Sequence, residues 1–549
     1  MKKICNILIC VIIASVGLVS CDDILNVDSE RLTFETDYQM QSPNDTIYSM
    51  AGIYSQLQKL ADSYVLLGEL RADLMDVTVN SNLDLREINN FEISKTNAYV
   101  NIKDYYSVIN NCNYVIQNLD TATIIKGEKV MKGYYAVVKG IRAWTYMQIA
   151  LNFGTAKYYD KPIITLADAE AVYPEYNIEQ LADVLIPDLL PFKDVETPNI
   201  LRNSGGSKVF PIHFLLGDLY LWTGQYKEAA NQYHELMYKN RLIIDKEYRI
   251  SYVLNNLLIT SNYQNYWLNA FYYRGTEAIT SILCPTTYGQ RFELDSLNYN
   301  YEFTPSAIAL NNWDSQTYFN TAANTAPGDL RKEGSVIDMN SYSSFGSGTT
   351  TGSTSQTEKN IVYKYLVNQQ TVNVQNVLVY RSSLLYLRYA EAVNRLGKPN
   401  LAFAVLKNGL NSITMSPTKK LIPTRERTGE TFMSFSDFRF DNNVGIRSRG
   451  LGPNIDKDST YIIPVAISDS LHIPEAVLYV EDLIQQEIAL ETAFEGNRFH
   501  DLMRLTLRRI KNGEGDESYL ADKIAPKHVG NEAGMKSKLM NQTNWYIKK

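Results

Sequence analysis

The sequence predicts a mostly α-helical protein with about four tetratricopeptide-like helical hairpins and long irregular inserts that carry short strands. Apolar residues recur with helical spacing in four separated stretches, which is the pattern of amphipathic helices that bury one face. In three of these stretches, small residues and a glycine recur at common offsets, as in helical repeats. The predicted hairpins lie near residues 103–154, 178–238, 379–411 and 478–511.

The last of these stretches predicts two helices that meet at Gly496. Glu487, Glu491 and Glu495 recur every four residues between two apolar rows of the first helix. Carboxylates in that position would be largely desolvated, so each needs a cationic partner or hydrogen bonds. We therefore expect a buried structural ion network within this hairpin.

The nearest cationic partners in sequence are Arg498, Arg504 and Arg508, which follow the turn directly. The alternative interpretation of the three glutamates is a catalytic pair for glycoside cleavage, in which two carboxyl groups flank a substrate in a cleft. Carboxylates on the inner face of a packed helix favour the structural interpretation.

The repeat offsets come from residues that allow two helices to cross closely and turn. In the second hairpin they are Leu216, Gly217, Tyr220, Gly224, Ala229 and Tyr233. In the third they are Ala390, Gly397, Ala402 and Leu406, and in the fourth Ala489, Gly496, Asp501 and Leu505. Because the hairpins are not consecutive, two inserts near 241–375 and 412–477 must form other structure, and we expect the ligand-binding residues there.

Composition argues against several classes of function. The formal net charge is −7 and no long basic run is present, so nucleic-acid binding is not expected. The five cysteines and five histidines lack metal-ligand spacing, and no nucleophile–base pair or phosphate-binding loop is recognisable, so we expect no metal, no cofactor and no enzymatic activity. Cys112 and Cys284 are expected to be buried thiols, although a single disulfide between them stays open.

Residues 1–20 have the pattern of a secretory signal peptide, with Lys2 and Lys3 before an apolar run. The run ends in LVSC at positions 18–21, which resembles a bacterial lipobox. A lipobox implies cleavage before Cys21 and acylation of that residue, and several acyl chains would anchor the chain to a membrane. The alternative is an ordinary signal peptide followed by a chance cysteine.

The segment AFEGNRFHDLMRL at 493–505 resembles the C-terminal helical signature of the SusD/RagB family, in which an aromatic-Glu-Gly-x-Arg-aromatic-x-Asp-Leu run is usual. The matching residues are Phe494, Glu495, Gly496, Arg498, Phe499, Asp501 and Leu502. Further similarity lies in IRAWTYMQIALNFG at 141–154, in GDLR at 328–331 and in CDDILNVD at 21–28. The resemblance covers nearly the whole length and implies one SusD-like domain over 21–549.

The same resemblance implies a nutrient-binding lipoprotein of the outer membrane that faces the cell exterior. Its partner would be a SusC-like TonB-dependent transporter, and its ligand an oligosaccharide or, as a serious alternative, a peptide. In this family the ligand site often takes residues from the loop after an early helix, which here contains Asp76, Asn80 and Asn82.

Aromatic side chains in the first insert are the other ligand candidates, because they can stack on sugar faces while neighbouring polar groups bond hydroxyls. The alternative for any of them is a small core beneath the long loops. The candidates are Trp267, Tyr272, Tyr273, Arg274, Tyr288 and Trp313.

Two other classes of function compete with nutrient binding. A surface glycoside hydrolase would turn over a glycan, whereas a binding protein would hold it unchanged. A structural repeat protein would contact the transporter without binding any small ligand.

Overall fold

The computed structural model describes a folded region that begins with the first helix and runs, with gaps, to the C-terminal segment. The described residues are 40, 43–124, 127–198, 209–246, 252–255, 258–261, 267–272, 275–285, 292–319, 325–340, 359–366 and 374–548. The signal peptide and Cys21 lie outside this part of the chain.

The N-terminal half is helical apart from short strands. Its helices are α1 (Pro43–Gln58), α2 (Ala61–Glu69), α3 (Leu83–Asn89), α4 (Ile102–Asn118), α5 (Val130–Phe153), α6 (Leu166–Glu170), α7 (Ile178–Leu189), α8 (Ile212–Thr223) and α9 (Tyr226–Asn240). Its strands are β1 (Met75–Val77), β2 (Ala156–Lys157) and β3 (Glu175–Tyr176).

The first insert mixes short strands with short helices. Its strands, with the one that ends it, are β4 (Tyr252–Asn255), β5 (Leu258–Ser261), β6 (Ala278–Pro285), β7 (Phe303–Pro305), β8 (Thr317–Phe319), β9 (Thr325–Pro327), β10 (Val336–Asp338), β11 (Asn360–Val362) and β12 (Val374–Arg381). Its helices are α10 (Leu294–Tyr299), α11 (Ala307–Asp314) and α12 (Arg331–Ser335), with 3₁₀ turns at Trp267–Phe271 and Tyr363–Leu366.

The C-terminal part returns to longer helices. They are α13 (Ser382–Arg395), α14 (Pro399–Lys407), α15 (Ser448–Leu451), α16 (Ile473–Glu491), α17 (Arg498–Asn512), α18 (Ser518–Ile524) and α19 (Glu532–Leu539). Between α14 and α16 the second insert consists mainly of 3₁₀ turns and irregular backbone.

Helix pairs form the frame of the molecule. Helix α4 packs on α5, α8 on α9, and α13 on α14, and α13 also packs on α9 although the first insert separates them in sequence. In the last pair, Arg509 near the end of α17 reaches back to Glu481 and Asp482 of α16, at 2.7 and 2.8 Å. The predicted fold class, helical hairpins with irregular inserts that carry short strands, is confirmed.

The strands pair locally in two-stranded antiparallel sheets. The longest pairing joins β6, which lies within the first insert, to β12 at the C-terminal end of that insert. A shorter pairing joins β1 to β7, with Met75 opposite Pro305 and Val77 opposite Phe303. This second pairing places the loop after β1 beside the first insert, which positions the candidate site.

Helix α2 packs against the turn between α16 and α17. The carboxylate of Glu69 accepts hydrogen bonds from the backbone N–H groups of Phe494 and Gly496, at 3.1 and 2.8 Å. Gly496 has a φ of +88°, and a Cβ at Gly68 would lie 1.9 Å from the Gly496 carbonyl oxygen. The turn therefore requires glycine on both sides of this contact.

Cys112 and Cys284 are buried and unpaired, so the structure contains two free thiols where a disulfide was left open by the sequence. Among the described helices, none combines the length and apolar character that a membrane span requires.

Candidate functional site

The three regularly spaced glutamates belong to a buried ion network, with Glu487 and Glu491 on α16 and Glu495 in the turn before α17. The Nη1 atom of Arg331 lies 2.6 Å from Glu487 Oε1 and 2.8 Å from Glu491 Oε2. Arg331 also bonds Asp329 at 2.6 Å, and all four side chains are inaccessible to solvent.

A second set of cations surrounds the other side of Glu491. Arg381 contacts Glu491 at 2.9 Å and Glu495 at 2.7 Å, and Lys364 contacts Glu495 at 2.7 Å. Arg449 lies 3.2 Å from Glu491. Burial alone would raise the pKa of Glu491, but the three arginines hold it far below its usual range, so this carboxylate is ionised.

The predicted partners of these glutamates were wrong. Arg498 pairs with Asp73 at 2.7 Å, and Arg504 pairs with Glu391 at 2.5 Å. Arg508 donates instead to the backbone carbonyl of Trp222. The arginines of α17 point to other helices, whereas cations from the two inserts and from the start of α13 approach the glutamates. The network therefore ties the inserts to the helical frame, and its Glu487 and Glu491 carboxylates are inaccessible to solvent.

A different, exposed surface lies where the loop after β1 meets the segment after α10. We define the loop surface as residues 78–86 and 299–302. The Asn80 Nδ2 atom donates to the Asn300 carbonyl at 3.1 Å, and the Asn82 backbone N–H donates to Glu302 Oε2 at 3.0 Å. The Ser81 hydroxyl donates to the Glu302 carbonyl. These bonds hold the loop in one conformation.

Further bonds within the loop brace it. The Thr78 N–H donates to the Ser81 hydroxyl at 2.7 Å, and the Thr78 hydroxyl donates to the Tyr301 carbonyl. Arg86 donates from Nε to the Ser81 carbonyl at 3.0 Å and from Nη2 to the Val79 carbonyl at 2.9 Å. A surface braced in this way loses little conformational entropy when it binds a ligand.

The loop surface combines apolar and polar groups that face solvent. Val79 is 89% exposed, Leu83 70% and Tyr299 46%. Asn80 and Asn82 are also exposed, and the bond from Asn80 to the Asn300 carbonyl joins their loop to the residue that follows Tyr299. Tyrosine can stack on a sugar face and asparagine can bond hydroxyl groups, so these residue types suit a sugar.

A family model described as the SusD family matches residues 221–547. This match covers more than half of the chain. The chain belongs to the SusD family.

Two curated relatives agree with this membership. Two SusD-like proteins of Formosa agariphila, P25 and P38, are 30% and 24% identical over 177 and 194 residues, which are 30% and 34% of this chain. The matched segments cover 32% and 37% of those proteins, so the chain spans about a third of the length of the curated relatives it matches.

Two solved structures share the fold at low sequence identity. Surface glycan-binding protein A from Bacteroides fluxus is 15% identical, with a TM-score of 0.54 over 88% of this chain and 91% of that one. A putative sugar binding protein from Bacteroides vulgatus is 17% identical, with a TM-score of 0.55 over 85% of this chain and 88% of that one. These similarities show that the chain shares the fold of the two proteins.

The polar candidates of this SusD-family chain lie at or near the loop surface. Asp76 is half-buried, and its Oδ1 atom accepts from the Val77 N–H at 2.8 Å. Asn80 and Asn82 are exposed, and the side chain of each also forms a hydrogen bond that stabilises the local structure. Asn82 caps α3 through its Oδ1 atom, which accepts from the Leu85 N–H at 3.0 Å.

The structure corrects the prediction that two tryptophans of the first insert bind the ligand, because both are buried. Trp267 and Trp313 are both 0% exposed. Trp313 donates from Nε1 to the Leu490 carbonyl at 3.1 Å, and Trp267 packs edge-on against Phe271 at 5.2 Å between ring centroids. Trp267 fills a small core within the first insert, and Trp313 fills a core between that insert and the end of α16, so neither offers a face to a ligand.

Of the four other candidates in the first insert, one belongs to the residues that the structure describes. Tyr272 is half-buried. Tyr273, Arg274 and Tyr288, like Cys21, lie outside the described residues.

Sequence reasoning did not single out Tyr299, Val79 or Leu83. Their exposure depends on the pairing of β1 with β7, which joins segments more than 200 residues apart. The polar, asparagine-rich run after Asp76 indicated one half of the surface. The other half lies in the first insert, where ligand-binding residues were expected, but Tyr299 was not among the chosen candidates. Within the described part of the chain, His, Cys, Asp and Glu form no group of three or more that could hold a metal ion.

Proposed function

We propose that this SusD-family protein binds a nutrient glycan at the loop surface, is anchored by acylated Cys21 to the outer membrane facing the cell exterior, and delivers the glycan to a SusC-like TonB-dependent transporter. Family membership is the observation that carries the proposal. Two structural neighbours are a surface glycan-binding protein and a putative sugar binding protein, which supports a glycan as the ligand class.

The chemistry of the loop surface supports the same ligand. Sugars present apolar C–H faces and many hydroxyl groups, so they bind best to an aromatic ring beside hydrogen-bonding side chains. Tyr299, Asn80 and Asn82 provide this combination on a braced loop. The buried glutamates of α16 favour binding over hydrolysis, because a general acid must reach the glycosidic oxygen.

Calorimetry with a panel of neutral glycans tests this proposal on the form that begins at Asp22. Tyr299→Ala should weaken the affinity about fivefold or more, since an aromatic contact contributes about 1 kcal/mol beyond its buried area. Asn80→Ala should also weaken it. Val172→Ala removes side-chain surface at a residue that is 99% exposed and lies outside both inserts, so it is a control with unchanged affinity.

A peptide panel measured with the same variants separates the two ligand classes. Peptide binding that depends on Tyr299, without glycan binding, would replace the glycan by a peptide. Shortened glycan products would instead indicate a hydrolase. Binding of neither class would leave a structural repeat protein and overturn the proposal.

Anchoring and partnership have their own tests. Mass spectrometry of the membrane-extracted protein should find an acylated N-terminal Cys21, and Cys21→Ser should release the protein from membranes. A TonB-dependent transporter should copurify with the anchored protein. A soluble wild-type protein without acylation would contradict this part of the proposal.

A further inference from the structure

A concave site separate from the loop surface lies between the segment after α3 and the C-terminal segment. We call it the C-terminal pocket, and its volume is about 380 Å³. It is lined by Arg71, Phe91, Glu92, Ile93, Lys538 and residues 544–548. This volume suits a ligand about the size of one sugar or amino-acid residue.

Arg71, which lines this pocket, is 1% exposed and has no carboxylate partner among the described residues. Its Nε atom donates to the Leu67 carbonyl at 2.7 Å, and its Nη1 atom donates to the Trp545 carbonyl at 3.0 Å. The Nη2 atom donates to Asn152 Oδ1 and lies 3.2 Å from His500 Nε2. All these partners are neutral or, for His500, held neutral by burial, which lowers its pKa far below 6.5.

The other buried arginines of the described chain differ from Arg71, because each has a carboxylate within 4.0 Å. They are Arg142, Arg331, Arg381, Arg388, Arg447, Arg449, Arg498, Arg504 and Arg509. A buried cation without a counter-ion is unfavourable, since desolvation is not offset by ion pairing. The Phe499 ring lies 4.3 Å from the Arg71 Cζ atom but carries no charge, and burial lowers the pKa of Arg71 to about 9.

One hydrogen of Arg71 Nη1 is left without a protein acceptor among the described residues, because this nitrogen carries two hydrogens and bonds only the Trp545 carbonyl. The rim adds further positive charge. Lys538 and Lys548 line the pocket, and its acidic residue, Glu92, is neutralised by Lys538 at 2.9 Å. In a chain with a net charge of −7, this is a local positive site.

The geometry points to a carboxylate-binding site: we propose that the C-terminal pocket binds one carboxylate-bearing residue, with the carboxylate against Arg71 and the body of the ligand against Phe91 and Tyr546. Arginine is the side chain best suited to planar carboxylates. The carboxylate could come from a uronic-acid sugar or from the end of a peptide. The inference does not rest on glycan binding at the loop surface.

Ligand-observed NMR and calorimetry on the form beginning at Asp22 test this site with matched pairs of probes. The sugar pair is glucuronate and glucose, and the peptide pair is N-acetylglycine and its amide. We expect the charged member of at least one pair to bind and its neutral counterpart not to bind. The pair that responds identifies the source of the carboxylate.

Variants locate the binding. Arg71→Gln should weaken carboxylate binding by about tenfold or more, because hydrogen bonds to charged groups contribute about 1.5–3 kcal/mol. Lys548→Gln, at the exposed rim, should weaken it less and keeps the test valid if Arg71→Gln does not fold. Lys227→Gln removes an exposed lysine that pairs with Glu430 elsewhere, so its affinity should match the wild type.

The two proposals fail separately. Tyr299→Ala should leave carboxylate binding unchanged, and Lys548→Gln should leave neutral-glycan binding unchanged. The carboxylate proposal is overturned if neither charged probe binds, if the neutral probes bind equally well, or if binding is indifferent to both Arg71→Gln and Lys548→Gln.

Discussion

Arg331 and Glu487 form an ion pair of 2.6 Å across 156 residues of sequence, and both side chains are inaccessible to solvent. Arg331 belongs to the first insert, and Glu487 belongs to helix α16 of the frame. A buried pair of this kind holds its two segments together, because separating them in the interior would leave unpaired charges. The insert is therefore fastened to the repeat frame by charge as well as by apolar packing.

Neutralising one carboxylate of this network should strongly destabilise the protein. Glu491→Gln keeps the shape of the side chain but leaves Arg331, Arg381 and Arg449 without their shared partner. The expected loss in the free energy of unfolding is about 3–5 kcal/mol. Urea unfolding followed by circular dichroism measures it.

The matched control for this variant is Glu430→Gln. Glu430 pairs with Lys227 at 2.9 Å on the surface, where a pair contributes less than about 1 kcal/mol. Equal urea midpoints for the two variants would contradict the assigned role of the buried network.

Adding a methyl group at Gly68 should disrupt the contact between α2 and the turn before α17. A Cβ there would meet the Gly496 carbonyl oxygen at 1.9 Å, so backbone must move. We expect Gly68→Ala to lower the thermal midpoint markedly, by the mechanism of overpacking, which costs about 1–3 kcal/mol.

Gly52→Ala provides the comparison, since Gly52 lies in helix α1 with no neighbouring atom within 4 Å of the added Cβ. Alanine is favoured over glycine in a helix by about 0.5–1 kcal/mol. The midpoint should therefore rise or stay unchanged. A drop as large as that of Gly68→Ala would show that close approach is not the cause.

Acid should destabilise the protein partly through His500. Burial first, then the cations of Arg71, Arg388 and Arg504, lower the pKa of His500 far below 6.5. Below about pH 6.5 the unfolded chain binds a proton at this position that the folded chain does not bind, so stability falls as pH falls. One such group changes the free energy of unfolding by about 1.4 kcal/mol per pH unit.

Unfolding measured between pH 7 and pH 5 checks this sign. His500→Gln should lose less stability over that interval than the wild type. His472 is exposed, and its hydrogen bond with Asp469 raises its pKa, so its contribution is present at low pH and lost as pH rises. His472→Gln should therefore not reduce the acid sensitivity, and a reduction there instead of at His500 would refute the assignment.

The two thiols should be unreactive until the chain unfolds. Burial raises the pKa of the Cys112 thiol to about 12. Burial also raises the pKa of the Cys284 thiol far above that of a free thiol, so neither residue forms a thiolate near neutral pH. In the form beginning at Asp22, a thiol reagent should react with two groups in denaturant and with none under native conditions. Rapid reaction of either thiol in the native protein would contradict this burial.

Local patterns predicted the frame well. The helices of the four hairpins could be located because amphipathic spacing and the glycine at each turn act within about 20 residues of sequence. The same spacing indicated that Glu487, Glu491 and Glu495 face inward, and the structure places all three side chains in the interior. Their partners could not be predicted, because Arg331, Arg381 and Arg449 reach them through long-range packing.

The candidate site was only partly accessible to this reasoning. The polarity of the asparagine-rich loop after β1 made this loop a candidate in the sequence. The position of Tyr299 near this loop depends instead on the pairing of β1 with β7. The two tryptophans illustrate the opposite error. A large aromatic residue in an insert can face a ligand or fill a core, and composition does not separate these outcomes.

By itself, the sequence determined that this protein is a helical-repeat chain with two inserts, since periodicity and turn residues are local properties of the chain. Only the tertiary structure decided which charges neutralise one another, which aromatic rings are buried and which loop meets which insert. Those outcomes depend on contacts between residues from about 40 to more than 400 positions apart. The energies of such contacts depend on desolvation, which is set by the packed fold.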